Sequence, residues 1–181
     1  MKLIDLKKKT LSLIEEINTE ETSLTDDPDI AAKLPYVINQ ILHELARFKK
    51  LPAYVIKDVT KDQIMNLDDT LDNFYQLRNI KGVNYECLDD LNIRFEEDGK
   101  ATISYYQYPD NIDENTSDNK VLNLPEDILE IAPYGIAADV LKADVSNQYG
   151  VIYERRYKEL IQTLDSRYST SIVEIDGGID I

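Results

Sequence analysis

The stretch that decides the fold runs from Asn123 to Leu164 and reads NLPEDILEIAPYGIAADVLKADVSNQYGVIYERRYKELIQTL. Its first half places apolar residues at helical spacing, and its second half repeats tyrosine every four residues. A short polar break separates the two patterns. The stretch therefore predicts two consecutive helices, over 125–145 and 147–166, with Pro133 and Gly135 bending the first. The apolar stripe of that first helix comprises Ile128, Ile131, Ala132, Ile136, Val140 and Leu141.

Two further helices are predicted in the first 50 residues. Leucine and isoleucine recur at three- to five-residue steps over 2–18, which predicts the first helix. The sequence TDDPD at 25–29 is a strong helix start, because it offers an N-cap, a proline in the first turn and acids at the positive end of the dipole. The second helix is predicted over 28–50, with a kink or a break at Pro35.

Strand patterns replace the helical ones after residue 50. Apolar and polar residues alternate in several short runs, as they do in half-buried strands. Asp98-Gly99 is the clearest hairpin signal. Residues 61–72 fit either an irregular loop or one helical turn, and the polar run 109–120 predicts a mobile loop or an extended arm. The predicted strands are 54–59, 74–79, 83–88, 91–96 and 101–108.

These patterns together predict one α+β domain over 1–181. Its architecture would be a bundle of about four helices with a small antiparallel sheet or sandwich inserted at about 51–110. The predicted parts are a helical body (1–50 plus 121–168), a β-rich insert (51–120) and a C-terminal arm (169–181).

The composition is that of a soluble globular protein with a strongly acidic surface. The 181 residues are 43% hydrophobic and 30% charged, and the formal net charge is −15. Residues 89–130 contain twelve acids and three bases, a local net charge of −9. Such a surface argues against binding to DNA phosphates or to anionic membranes. The acidity either provides solubility or lines a channel through which nucleic acid must slide without sticking.

No residue pattern predicts a catalytic, cofactor-binding or metal site. His43 is the only histidine, and a lone ligand cannot hold a metal, so we interpret it as structural. Cys87, the only cysteine, has no basic neighbour in sequence and is predicted to be a buried strand residue. The loop 109–120 fails the calcium-binding EF-hand pattern, because Asp118 takes the glycine position and Leu124 the twelfth. A hydrolase using two carboxylates is an alternative for which no particular pair is singled out.

The tyrosines near the C-terminal end have two possible roles. Tyr149, Tyr153 and Tyr157 share one face of the last predicted helix, with Arg156 beside them. They could pack the bundle with their hydroxyls at its rim, or they could form an oligomer contact, since tyrosine and arginine are enriched at interfaces. The strand-like alternation at 172–176 suits pairing with another chain. The predicted interface residues are Tyr149, Tyr153, Arg156, Tyr157, Ile172, Val173 and Ile175.

The order of these features resembles the head–tail connector (adaptor, head-completion) proteins of tailed bacteriophages and prophages. The resemblance is best over 123–168, where an LPED-type helix start is followed by a small-residue helix and then by the YERRYKEL helix. TDDPDIAAKLPYVINQILHELARFKK at 25–50 supports it. The resemblance covers about half of the chain well.

The resemblance implies a non-enzymatic virion protein without a cofactor. Copies of it, twelve in the family's usual ring, would sit between the portal protein and the next neck or tail protein and extend the DNA channel. DNA would pass without specific binding, and no membrane would be involved. The protein would be made in the bacterial host cytoplasm and end at the head–tail junction. The helices at 28–50 and 125–166 would form the ring body, the 51–120 insert would project, and the arm 169–181 would dock on the portal or a neighbouring subunit.

An alternative hypothesis of another class is a cytoplasmic, non-enzymatic protein-binding module of a bacterium. It predicts a stable small complex that forms outside any virion. The connector hypothesis instead predicts assembly with a portal protein.

Overall fold

The computed structural model describes residues 1–18, 24–142 and 148–164. These ranges contain five helices and six strands. The helices are α1 (Leu3–Leu13), α2 (Pro28–Lys49), α3 (Leu67–Thr70), α4 (Glu126–Leu141) and α5 (Gln148–Ile161). The strands are β1 (Leu51–Val59), β2 (Ile64–Asn66), β3 (Phe74–Lys81), β4 (Tyr85–Cys87), β5 (Asn92–Phe95) and β6 (Gly99–Gln107).

Helix α4 is the centre of the helical part. Ten of its 16 residues are buried, so almost every side of the helix needs a packing partner. Helices α1, α2 and α5 each lie against α4, and within the described residues they make few contacts with one another. The shared core combines large side chains from α1, α2 and α4. The buried alanines of α4, Ala132, Ala137 and Ala138, allow neighbouring helices to approach closely.

The predicted four-helix bundle with one inserted sheet is wrong. A bundle needs helices that each turn one apolar stripe toward a common axis, whereas α4 is apolar around most of its circumference and takes the central position itself. A fifth, short helix, α3, lies among the strands. The strands form two three-stranded antiparallel sheets rather than one, with the orders β1-β6-β3 and β2-β5-β4. The content of helices and strands is roughly that of an α+β protein.

The helix starts follow the predicted signals better than the helix ends. Helix α2 begins at Pro28, and the Asp27 carboxylate caps it by accepting hydrogen bonds from the N–H groups of Asp29 (2.8 Å) and Ile30 (3.1 Å). It continues through Pro35 as one helix, so the predicted break is absent. Helix α4 is likewise continuous through its proline. Helix α1 ends five residues earlier than predicted, because Glu15 adopts a left-handed conformation with φ 61°.

The two sheets enclose a second core. Phe95, Ile93 and Ile103 are fully buried in it. Strands β1 and β6 pair along their whole length, from Leu51 opposite Gln107 to Val59 opposite Gly99. The chain therefore enters and leaves this β unit (residues 51–107) on two adjacent strands.

The predicted hairpin at Asp98-Gly99 is wrong. Strand β5 belongs to the sheet with β2 and β4, whereas β6 belongs to the sheet with β1 and β3. The chain thus changes sheets at this turn instead of folding back on β5. The turn is fixed from elsewhere, because the Asp98 carboxylate accepts a hydrogen bond from the backbone N–H of Lys61 at 2.7 Å.

The return segment, residues 108–125, connects β6 to α4. The sequence predicts a mobile loop or an extended arm over its polar part, 109–120, and in the structure the end of this run, 118–120, is held against α1. The N–H groups of Leu3 and Ile4 donate to the carbonyls of Lys120 and Asp118, both at 2.9 Å. The Asp118 carboxylate also pairs with Lys7 at 2.7 Å. The first N–H groups of a helix have no acceptor within the helix. The return segment therefore supplies carbonyl acceptors for two N–H groups at the start of α1.

Gly135 of α4 has a packing role that can be tested. A methyl group there would lie 2.8 Å from Cε2 of Tyr157 and 3.0 Å from Cγ2 of Ile41. We expect Gly135→Ala to lower the free energy of unfolding, because overpacking costs about 1–3 kcal/mol and outweighs the roughly 1 kcal/mol that alanine gains over glycine in a helix. Urea unfolding followed by circular dichroism would measure the change.

The matched control is Gly150→Ala in α5, where the new methyl would meet its nearest atom, Cβ of Leu141, at 3.3 Å. This variant should keep or raise the stability, because the gain of up to about 1 kcal/mol in helix propensity is opposed only by a small adjustment of Leu141. Equal stabilities of the two variants would contradict the packing role of Gly135.

Candidate interaction surface

The three tyrosines of α5 have different environments. Tyr157 is buried in the helical core with 6% of its surface exposed. Tyr153 is half-buried, and its hydroxyl donates a hydrogen bond to the carbonyl of Leu13 at the end of α1. Tyr149 is 64% exposed. Tyr157 therefore belongs to the core of the subunit and Tyr153 ties α5 to α1, while most of the Tyr149 side chain lies at the surface.

The burial of Tyr157 also affects its ionisation. Removal from water, and then the negative charge of Glu44, raise the pKa of its hydroxyl far above the ordinary value. The group stays neutral at any physiological pH. This shift agrees with a packing role.

The outer face of α5, defined here as Tyr149, Val151, Ile152, Arg155 and Arg156, is the candidate interaction surface. Its three apolar members are 64%, 68% and 57% exposed in that order. The two arginines follow within the next turn and lie near Glu159, at 3.2 and 3.6 Å. Exposed pairs of this kind contribute little to stability, so these arginines are free to exchange partners.

A groove between α1, α4 and α5 lies next to this face. It has a volume of about 790 Å³, and we refer to it as the α1–α5 groove. Its apolar lining comes from Leu13, Ile17, Ile131, Pro133, Tyr134 and Leu160. Its polar lining includes Lys8, Lys9, Ser12, Asp127, Glu130, Arg156 and Thr163. The other predicted interface residues, Ile172, Val173 and Ile175, lie outside the described residues.

A cluster around Tyr108 joins the β unit to α2. The Tyr108 ring stacks on His43 with centroids 4.8 Å apart and planes 13° apart, and it lies 5.0 Å from the ring of Tyr75 on β3. Arg47 donates from Nε to the Tyr108 hydroxyl at 3.2 Å. These contacts fix the first residue after β6 to the helical part.

Asn39, one turn before His43, binds the return segment. Its side-chain amide donates to the Ile112 carbonyl at 2.7 Å, and its side-chain oxygen accepts from the Ile112 N–H at 2.8 Å. Ile112 is 3% exposed, so this side chain satisfies both backbone groups of a buried residue.

The sequence contains a signal for this cluster in the spacing of three polar residues on α2. Asn39, His43 and Arg47 recur at intervals of four on a helix whose opposite side is apolar, and such spacing brings side chains onto one face.

Other sequence-based assignments have mixed outcomes. Cys87 is exposed, so its predicted burial is wrong; it ends β4, a three-residue strand at the edge of its sheet. Within 1–18, 24–142 and 148–164, no three His, Cys, Asp or Glu side chains cluster as potential metal ligands. None of the helices in these ranges is long and apolar enough to cross a membrane.

No family model matches this chain, and no curated protein matches it.

The Asn39 clamp predicts a loss of stability on truncation. Asn39→Ala should lower the free energy of unfolding by about 1–3 kcal/mol, because it leaves buried backbone groups of Ile112 without a partner. Gln40→Ala is the control at the neighbouring position, where the lost hydrogen bond, to Asp139 at 2.8 Å, is exposed. That change should cost less than about 0.5 kcal/mol. Equal losses in urea titrations of the two variants would argue against the clamp.

His43 predicts a pH dependence of stability. Burial lowers the pKa of His43, a hydrogen bond to the Pro109 backbone opposes this, and the charge of Arg47 adds to the lowering. The unfolded chain, with an ordinary pKa of about 6.5, then binds a proton that the folded protein does not. Stability should therefore fall as the pH drops below about 6.5.

His43→Phe keeps an aromatic ring on Tyr108 and removes the titration. We expect melting temperatures measured between pH 7.5 and 5.5 to fall less steeply for this variant than for the wild type. His43 is the only histidine in the chain, so the difference in slope isolates it. Parallel slopes would show that its protonation is not linked to folding.

Proposed function

We propose that this protein is a non-enzymatic structural subunit of the head–tail junction of a tailed bacteriophage. Copies of it form a ring between the portal protein and the tail or neck and extend the DNA channel. The proposal rests first on the resemblance of 25–50 and 123–168 to head–tail connector proteins. The described residues then supply three physical arguments, which concern the outer face of α5, the charge and the β unit.

The outer face of α5 is the observation that carries the proposal. One side of α5 contributes Tyr157 to the subunit core, while Tyr149 and Ile152, three positions apart, are exposed next to each other and Val151 is exposed further round the helix. Grouped apolar side chains on a monomer surface are typical of contact sites for another protein. In a closed ring every copy offers the same face to the next copy, so one such face satisfies all subunits.

The charge of the chain fits a channel through which DNA moves. A net charge of −15 repels the phosphate backbone, and an acidic wall therefore does not hold DNA in place. Residues 89–130, with a local net charge of −9, hold a large share of this charge.

The β unit is built so that it can project from a ring. It has a core of its own, separate from the helical core, and the chain enters and leaves it on the paired strands β1 and β6. A partner such as a neck or tail protein can contact this unit without disturbing the packing around α4.

The test is assembly on a portal protein, observed by negative-stain microscopy and native mass spectrometry. Wild-type protein should form rings with the portal. Ile152→Glu should abolish them, since a charge at a closed contact is left without a partner, while the unfolding temperature of the isolated subunit stays within a few degrees of wild type.

The matched control is Ile64→Glu, since Ile64 on β2 is 61% exposed, close to the 57% of Ile152. This variant should assemble like the wild type. Normal rings from Ile152→Glu would remove α5 from the contact. A wild-type protein that stays monomeric and ignores the portal would overturn the proposed function.

A further inference from the structure

We infer, from the lining and the position of the α1–α5 groove, that this groove binds the segment 172–181 of the same chain. This inference goes beyond the proposed function and does not depend on ring formation. It concerns a surface that is apolar at its floor and basic at its edge in an otherwise acidic protein.

The basic edge of the groove is the first argument. The chain carries 35 acids and 20 bases, yet three bases, Lys8, Lys9 and Arg156, line this one groove. Lys8 and Lys9 are exposed and form no ion pair within the described part of the chain. Of the two acids in the lining, Asp127 is already paired with Lys49, which leaves Glu130 against the three bases. The groove therefore presents positive charge that is available to an acidic ligand.

The composition of the segment 172–181 complements this lining. It contains no base, and its charged and apolar residues are interleaved, so that an extended chain places apolar groups on the floor and acids toward the edge. The three acids are Glu174, Asp176 and Asp180. The five apolar residues are Ile172, Val173, Ile175, Ile179 and Ile181.

The position of the end of α5 makes the groove accessible to this segment. Helix α5 ends at Ile161, and Leu160 and Thr163 line the groove. Seven residues separate Leu164, which packs against the helical core, from Ile172. When extended, the eight steps between them span about 26–29 Å, so the segment can reach the groove. A tether of this length gives an effective concentration on the order of millimolar, which favours binding within one chain over binding between chains.

The chain contains no tryptophan, so Ile175→Trp introduces a single fluorescent reporter into the full-length protein. We expect acrylamide to quench it several-fold less than the same tryptophan in a free peptide of residues 168–181. Ile179→Trp provides a second reporter, in case the larger ring is not accommodated at 175. Adding Lys8→Glu and Lys9→Glu should raise quenching to the level of the peptide.

The matched control adds Lys33→Glu and Lys61→Glu, which change the net charge equally at two exposed lysines outside the groove. This control should leave the reporter protected. Binding within one chain further predicts that protection is independent of protein concentration and is present in the monomer by native mass spectrometry. The inference is overturned if both reporters are quenched like the peptide, if both double substitutions act alike, or if protection disappears on dilution together with a dimer.

Discussion

The burial of α4 is the constraint on which the rest of the structure depends. A helix with ten buried residues among 16 turns only a narrow strip, which includes Glu126 and Glu130, to water, so it is stable only when other elements cover it on several sides. Three helices from different parts of the chain do so, and the contact between Gly135 of α4 and Tyr157 of α5 shows how closely they approach. The helical part is therefore organised around one central helix.

Along the chain α4 follows the β unit, so the return segment has to lead back from β6 to the centre of the helical part. The return segment that does so is polar, and its buried backbone groups need partners. Asn39 supplies two for Ile112, and the first N–H groups of α1 bind the carbonyls of Asp118 and Lys120. The helix and the segment thus satisfy each other's unpaired groups, and an acid-rich run that resembles a loop becomes part of the packed structure.

Sequence patterns correctly predicted the elements that depend on neighbouring residues. The start of α2 follows from its capping sequence, and most strands follow from alternation. The wrong predictions concern features decided by distant partners. Asp98-Gly99 has hairpin chemistry, yet pairing along β1 draws the next strand into the other sheet. Four-residue spacing grouped Tyr149 with Tyr157, yet only Tyr157 has the core helices beneath it. Asn39 was missed because its partner, Ile112, lies 73 residues away.

The surfaces left open by this packing meet at one residue. Arg156 belongs to the outer face of α5 and also lines the α1–α5 groove, and its near neighbour Glu159 holds it only by an exposed contact of 3.6 Å. A neighbouring subunit bound to the outer face and a chain segment bound in the groove would both draw on its charge. The guanidinium has five N–H donors in a planar fork, so it can bind one carboxylate on each side, and the two proposed interactions are therefore compatible at Arg156.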